Sequence, residues 1–186
     1  TTSWTQEILS KTSTKNFDVY YQLPCQFEIE GLPIKSKLDI AHVNHIERTI
    51  QPYDLKVTHM INSFGYAYWI KGKYYIQDAV YHHAIHSVLA DHYELSEYIV
   101  LPMIFIVADP SNLSLPILWK SSYDNCSIAM LGAEGKNGYT IRGVRELIRE
   151  LQWAQETGNW TTSKEVVDNQ GFLTIKPFEQ TEKGEE

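Results

Sequence analysis

The sequence has little cysteine, no long apolar run and no glycine-rich phosphate loop, and each absence removes a class of function. Its two cysteines, Cys25 and Cys126, lie far apart, and neither belongs to a C-x-x-C pair. That spacing excludes cysteine-rich zinc sites and four-cysteine iron–sulfur clusters. The longest apolar stretch, Tyr98 to Ala108, falls short of the ~20 residues a bilayer helix needs. The opening segment, with Trp4, Gln6 and Glu7, lacks the pattern of a signal peptide. A reducing, cytoplasmic setting with no membrane partner is the simplest expectation.

Positive charge is scarce as well. The chain carries 16 Lys and Arg against 23 Asp and Glu over 186 residues, a net charge of −7, which does not advertise nucleic-acid binding. Several acids fall at the end, in Glu179, Glu182, Glu185 and Glu186, and read as a solvated tail. Local basic groups at Lys35, Lys37, Lys71 and Lys73 remain available to line a groove. Gly132, Gly135 and Gly138 do not form a G-x-G-x-x-G or G-K-[ST] loop, so they are expected to separate helices rather than cradle phosphate, and Lys136 among them to be a solvated loop lysine. With no repeat, low-complexity block or linker, the expectation is one domain over residues 1–178 and an acidic tail over 179–186. The first residue is Thr, which suggests a piece of something longer.

What is present is a clear alternation of patterns. Trp4 to Lys11 reads as a short helix, Phe17 to Phe27 as a strand, and Glu30-Gly31 as a turn. Ile34 to His42 alternates apolar and polar residues, Asn44-His45 breaks it, and Arg48 to Val57 runs back, which places Asp39 and Asp54 on neighbouring antiparallel strands. Lys73 to Ala90 changes to helical period and is expected to cross over to a buried strand at Tyr98 to Val107, with Leu115 to Lys120 beside it. Val144, Leu147, Ile148, Leu151 and Ala154 mark an amphipathic helix stopped by Thr157-Gly158, and Gly171 to Pro177 follows as short strand or coil. The fold class is therefore α/β, a central mixed sheet flanked by helices.

The hairpin carries the chemistry. Hydrolysis of a phosphodiester needs a metal to polarise the phosphate, help in deprotonating water, and positive charge against the pentacovalent state. Hard divalent cations take carboxylate oxygens. Asp39, followed fifteen residues later by Asp54-Leu55-Lys56, supplies two carboxylates and an ammonium. Residues two apart on a strand share a face, so Asp54 and Lys56 point together with the Leu55 carbonyl nearby. A D-x-K taken alone is more often a solvated face; the second Asp opposite and the helix after it strengthen the pattern.

The runs Leu32-Pro-Ile-Lys-Ser-Lys-Leu-Asp39, Ile50-Gln-Pro-Tyr-Asp54-Leu-Lys56-Val-Thr58 and Tyr74-Tyr-Ile-Gln77-Asp-Ala-Val-Tyr81 resemble the RecB-like branch of the PD-(D/E)XK nucleases. Within it they are most similar to the phage and prophage exonuclease VIII (RecE-like) group, and Leu147 to Trp160 resembles that group's closing helix. The resemblance implies a restriction-endonuclease-like core and a Mg2+-dependent DNA exonuclease, with Mn2+ as substitute. It implies catalytic Asp39, Asp54 and Lys56, and metal ligation by Asp39, Asp54 and the Leu55 carbonyl. Gln77 and Tyr81 would lie against DNA or orient the site. It further implies a bacterial or phage-infected host cell, a homo-oligomer and a single-strand annealing recombination partner. An endonuclease of the same superfamily, or an inactive nuclease fold kept as a binding module, are the alternatives. The family's additional acid before the hairpin has no clear counterpart; Asp18, Glu28 and Glu7 are the candidates. His82, His83 and His86 lack the H-E-x-x-H pattern and are expected to pack beside Tyr81, or one of them to touch phosphate. His42 and His45 are expected to be exposed, and Trp119, Trp153 and Trp160 to be core or capping aromatics.

Overall fold

The computed structural model describes residues 3–135 and 139–173. Lys136, Gly138, the end of the Gly171–Pro177 segment and the tail over 179–186 lie outside the described residues. The elements in order are α1 (Ser3–Leu9), β1 (Phe17–Ile29), β2 (Leu32–Asn44), β3 (Thr49–Val57), α2 (Phe64–Tyr66), α3 (Tyr74–Ala90), β4 (Ile99–Val100), β5 (Ile104–Ala108), β6 (Ile117–Lys120), α4 (Tyr123–Leu131), β7 (Ala133–Glu134), β8 (Thr140–Ile141), α5 (Val144–Thr157) and α6 (Lys164–Asp168). The main sheet runs β1-β2-β3-β5-β6, with β4 beside β3. β3 and β5 are parallel and the other neighbours along that path antiparallel, so the architecture is a mixed sheet flanked by helices. A parallel pair needs a long connection, and α3 supplies it. Among the described residues no helix is long and apolar enough to cross a membrane.

Local chemistry explains the hairpins. Glu30 and Gly31 both have positive φ, 52° and 74°, the two-residue turn whose twist suits paired strands. The β2–β3 connection is closed by the Asn44 carboxamide, whose oxygen accepts from the N–H of Ile46 and Glu47 at 3.0 and 3.1 Å. The apolar face of α3, with Tyr75, Ala79, Ala84, Ile85 and Leu89, covers Cys25, Phe27, Leu38, Ala41 and Ile50 in the main core. On the other sheet face Ile40, Tyr53 and Ile106 pack with Ile8 of α1.

Regular alternation would put Leu38 and Ala41 on opposite faces. They share the main core instead, while Ile40 joins the other cluster. The alternation of β2 slips at Asp39–Ile40. Across the ladder from Asp39, Gln22 of β1 takes a left-handed φ of 52°, and the buried residues of β1 all follow it, at Cys25, Phe27 and Ile29. Backbone pairing of β2 with β3 ends at Ile40–Tyr53, and from Tyr53 onward β3 pairs with β5. The two aspartates stand where β2 and β3 part.

Three expectations need correcting. The apolar run from Tyr98 to Val107 is two strands, because Pro102 has no N–H to donate. β3 by contrast runs unbroken through Pro52, which pairs with Ala41 of β2. The Gln51 carboxamide links the two proline segments, donating to the carbonyls of Pro102 at 2.8 Å and Pro52 at 2.9 Å. His42 is buried, edge-on to Phe17 and Tyr53, and His45 is half-buried between Asp18 and the Tyr98 hydroxyl. Trp160 is neither core nor cap but 64% exposed. Both cysteines are buried and free.

The buried His42 makes stability sensitive to acid. Burial, with Lys11 nearby, lowers its pKa from 6.5 to about 4. Between those values the unfolded chain holds the extra proton, so stability is lost as pH falls through that window, by about 3 kcal/mol if complete. Its Nε2 has no hydrogen-bond partner among the described residues, so His42→Leu is expected to fold and to lose about 2 kcal/mol less than the parent between pH 7 and 4.5. Urea melts at both pH values measure this; equal losses would remove His42 as the cause.

Candidate active site

Asp54 sits on β3 with none of its surface exposed. Its Oδ1 accepts from Gln77 Nε2 at 2.7 Å, and its Oδ2 forms an ion pair with the Lys56 ammonium. The Lys56 side chain is 14% exposed, so the pair has little water to screen it. Burial lifts the Asp54 carboxyl to about 6; Lys56 pulls it down, and the neighbouring Asp39 carboxyl adds to the rise. An acid held this high in a buried position is one that a second positive charge would stabilise in its ionised form.

Asp39 fills the gap left by the parting strands. Its Oδ2 accepts from the N–H of Leu55 at 2.9 Å, and its Oδ1 from Gln22 Nε2 at 3.1 Å. The fold thus brings Asp39, Asp54 and Lys56 together, with the Leu55 backbone bonded to the first and linking the other two. Gln77 and Tyr81, one turn apart on α3, both face this hairpin. Gln77 holds Asp54, and the Tyr81 hydroxyl donates to the Lys37 carbonyl at 2.7 Å. Burial, offset by Gln77, and the charges of Asp54 and Asp39 push the Tyr81 phenol up.

None of the candidates for a further acid is hydrogen-bonded to Asp39 or Asp54. Asp18 is engaged by His45 and Tyr20. Glu28 is exposed on β1 six residues beyond Gln22, and Glu7 belongs to α1, on the opposite sheet face. The side chain that β1 delivers to the site is the neutral Gln22, a residue without a recognisable signal in the sequence because only the left-handed turn at that position aims it. His82 and His86 pack against each other with ring centroids 4.6 Å apart, and burial lowers the pKa of His82 to about 4. His83 bonds the Glu28 carbonyl instead.

Behind Gln77 lies a second buried acid that the sequence did not single out. Asp78 has no exposed surface; its Oδ2 accepts from Tyr68 at 2.6 Å and from Ser121, and Cys126 reaches its Oδ1 at 3.7 Å. Burial raises the Asp78 carboxyl and, with the Asp78 charge, pushes the Cys126 thiol up to about 12. One residue of α3 is thereby tied to the helical segment before it, to the end of β6 and to α4.

A crystal structure of a Eubacterium rectale protein described as a candidate exonuclease has the same overall fold. The match has a TM-score of 0.55 at 16% identity and covers 96% of this chain. The chain spans 58% of the length of that protein. At this identity the likeness is one of fold. No family model matches the chain, and no curated protein sequence matches it.

Proposed function

We propose that the chain is a metal-dependent DNA exonuclease of the RecB-like branch of PD-(D/E)XK nucleases, akin to the exonuclease VIII group. The observation that carries the reading is the buried Asp54, held by Gln77 and Lys56, with Asp39 beside it where the strands part. The fold shared with a candidate exonuclease supports the same class.

Asp39, Asp54 and the Leu55 carbonyl are hard oxygen donors suited to Mg2+ or Mn2+. Among the described residues no group of three or more His, Cys, Asp or Glu is arranged for a metal ion. That supply of two carboxylates suits Mg2+, which binds through one or two carboxylates and keeps several waters. When bound, the ion would polarise the phosphate and make the attacking water more acidic. The chain's own part is positional and electrostatic. Gln77 fixes the carboxylate plane of Asp54, Tyr81 clamps α3 to β2, and Lys56 offers an ammonium to the scissile phosphate. Lys35, Lys37, Lys71 and Lys73 are exposed, form no ion pair among the described residues, and flank the hairpin and the start of α3. They would meet the sugar–phosphate backbone despite the negative net charge.

End-labelled linear and closed circular duplex DNA, incubated with Mg2+ or with chelator, test the proposal. The expected result is Mg2+-dependent loss of linear DNA with circles intact. Equal attack on circles would make it an endonuclease, and no metal-dependent loss would overturn the enzymatic reading. A homo-oligomer and a single-strand annealing partner belong to the same proposal, and gel filtration of the pure protein measures the first.

A further inference from the structure

We propose that Tyr74 is a positioning residue for Lys56, its ring holding the ammonium beside Asp54; this rests on the nuclease reading for its catalytic meaning. Lys56 Nζ stands 5.0 Å from the centroid of the Tyr74 ring, within the range at which a ring face attracts a cation. Tyr74, Gln77 and Tyr81 recur at helical spacing on α3, and each reaches a different part of the hairpin: Lys56, Asp54 and the Lys37 carbonyl. Lysine is long and flexible, and fixing it in one pose costs rotamer entropy. Two contacts hold its end here, the carboxylate of Asp54 and the ring of Tyr74. A carboxylate that also serves a cation shares its charge, whereas the ring does not compete for one.

The ring is itself held. It stacks on Phe64 at 5.4 Å with an interplanar angle of 14°, and Phe64 is buried against Phe105 and Trp119. Gly72 makes room for it: a Cβ there would lie 2.6 Å from Tyr74 Cε2 and 3.0 Å from the Ala67 carbonyl. The Gly72 backbone is ordinary, with φ −93°, so the constraint is space and not backbone conformation. Lys73, at φ 51°, then turns the chain into α3 with Tyr74 as its first residue.

The contact can be read without any reaction. In NMR spectra of lysine-labelled protein, the Hε resonance of Lys56, assigned by its loss in Lys56→Arg, is expected upfield from the ring current. The shift is expected to persist in Tyr74→Phe and to vanish in Tyr74→Leu. In steady-state DNA hydrolysis, Tyr74→Leu is expected to lower kcat about tenfold, with KM within about twofold, while Tyr74→Phe stays within about twofold of the parent. Gly72→Ala, which crowds the ring without removing it, is expected to lower kcat in the same direction, and serves where Tyr74→Leu does not fold. An Hε at its ordinary position in the parent, or a well-folded Tyr74→Leu with unchanged kcat, would overturn the proposal. An upfield Hε in a parent protein with no nuclease activity would establish the contact and overturn the nuclease reading instead.

Discussion

Asp54→Asn is expected to reduce Mg2+-dependent DNA hydrolysis by about 10³-fold or more while leaving the fold intact. Asn preserves the shape of the side chain and can still accept from Gln77, which bonds Oδ1 at 2.7 Å. It cannot supply the negative charge that a divalent cation and the Lys56 ammonium both require. Removing one preorganised electrostatic group from an active site commonly costs about 10²–10³-fold, and Asp54 serves two partners. Lys56→Met is expected to cost about 10²-fold on the same grounds, with a distinguishing feature. The ammonium pairs directly with Asp54, so its loss removes a competitor for the carboxylate, and Mn2+ binding measured by calorimetry should be unchanged or tighter. Initial rates at saturating Mg2+, beside an exposed α5 control such as Glu156→Gln, give the comparison. Rates within tenfold of the parent for Asp54→Asn would mean that this hairpin is not the reactive centre.

The second large effect falls on stability. Asp78→Ala is expected to cost about 3–5 kcal/mol, because it leaves the Tyr68 and Ser121 hydroxyls buried without their acceptor. For a chain of this size that lowers the melting temperature by roughly 10 °C. Asp78→Asn retains an oxygen acceptor for both hydroxyls and presents its amide to Cys126, so it is expected to remain folded and to retain activity. Thermal melts of the two variants separate the roles. A loss under about 1 kcal/mol for Asp78→Ala would show that the network is not a structural tie.

The positions of the two aspartates were readable from pattern. Alternation over Ile34–His42, the Asn44-His45 break and the return run assign Asp39 and Asp54 to adjacent strands, and a period of two sets Lys56 on the same face as Asp54. What alternation could not show is that it fails at Asp39–Ile40, where Leu38 and Ala41 share one core. That slip leaves Asp39 free to take the Leu55 N–H. The charged partners of the site followed from spacing; its neutral partner Gln22 did not, because a left-handed residue inside a strand carries no compositional mark when it is not glycine. The bounds of short helices were not legible for a related reason. α4 spans nine residues, and its core face is only Cys126 and Ala129 beside partly exposed neighbours, too little for a clear helical period.

By itself the sequence determined the α/β alternation, the two-residue turn at Glu30-Gly31, the crossover helix and the nearness of Asp39, Asp54 and Lys56. These depend on side chains close along the chain or on strands joined by one short connection. Only the tertiary structure decided the burial of His42 and Asp78, the partner given to each Asp39 oxygen and the seat of the Lys56 ammonium on Tyr74. Each of those depends on groups separated by many residues, whose meeting is set by how α3 packs across the sheet and where the strands part. Local periodicity fixes which face a residue belongs to; it carries no information on which distant side chain that face will meet.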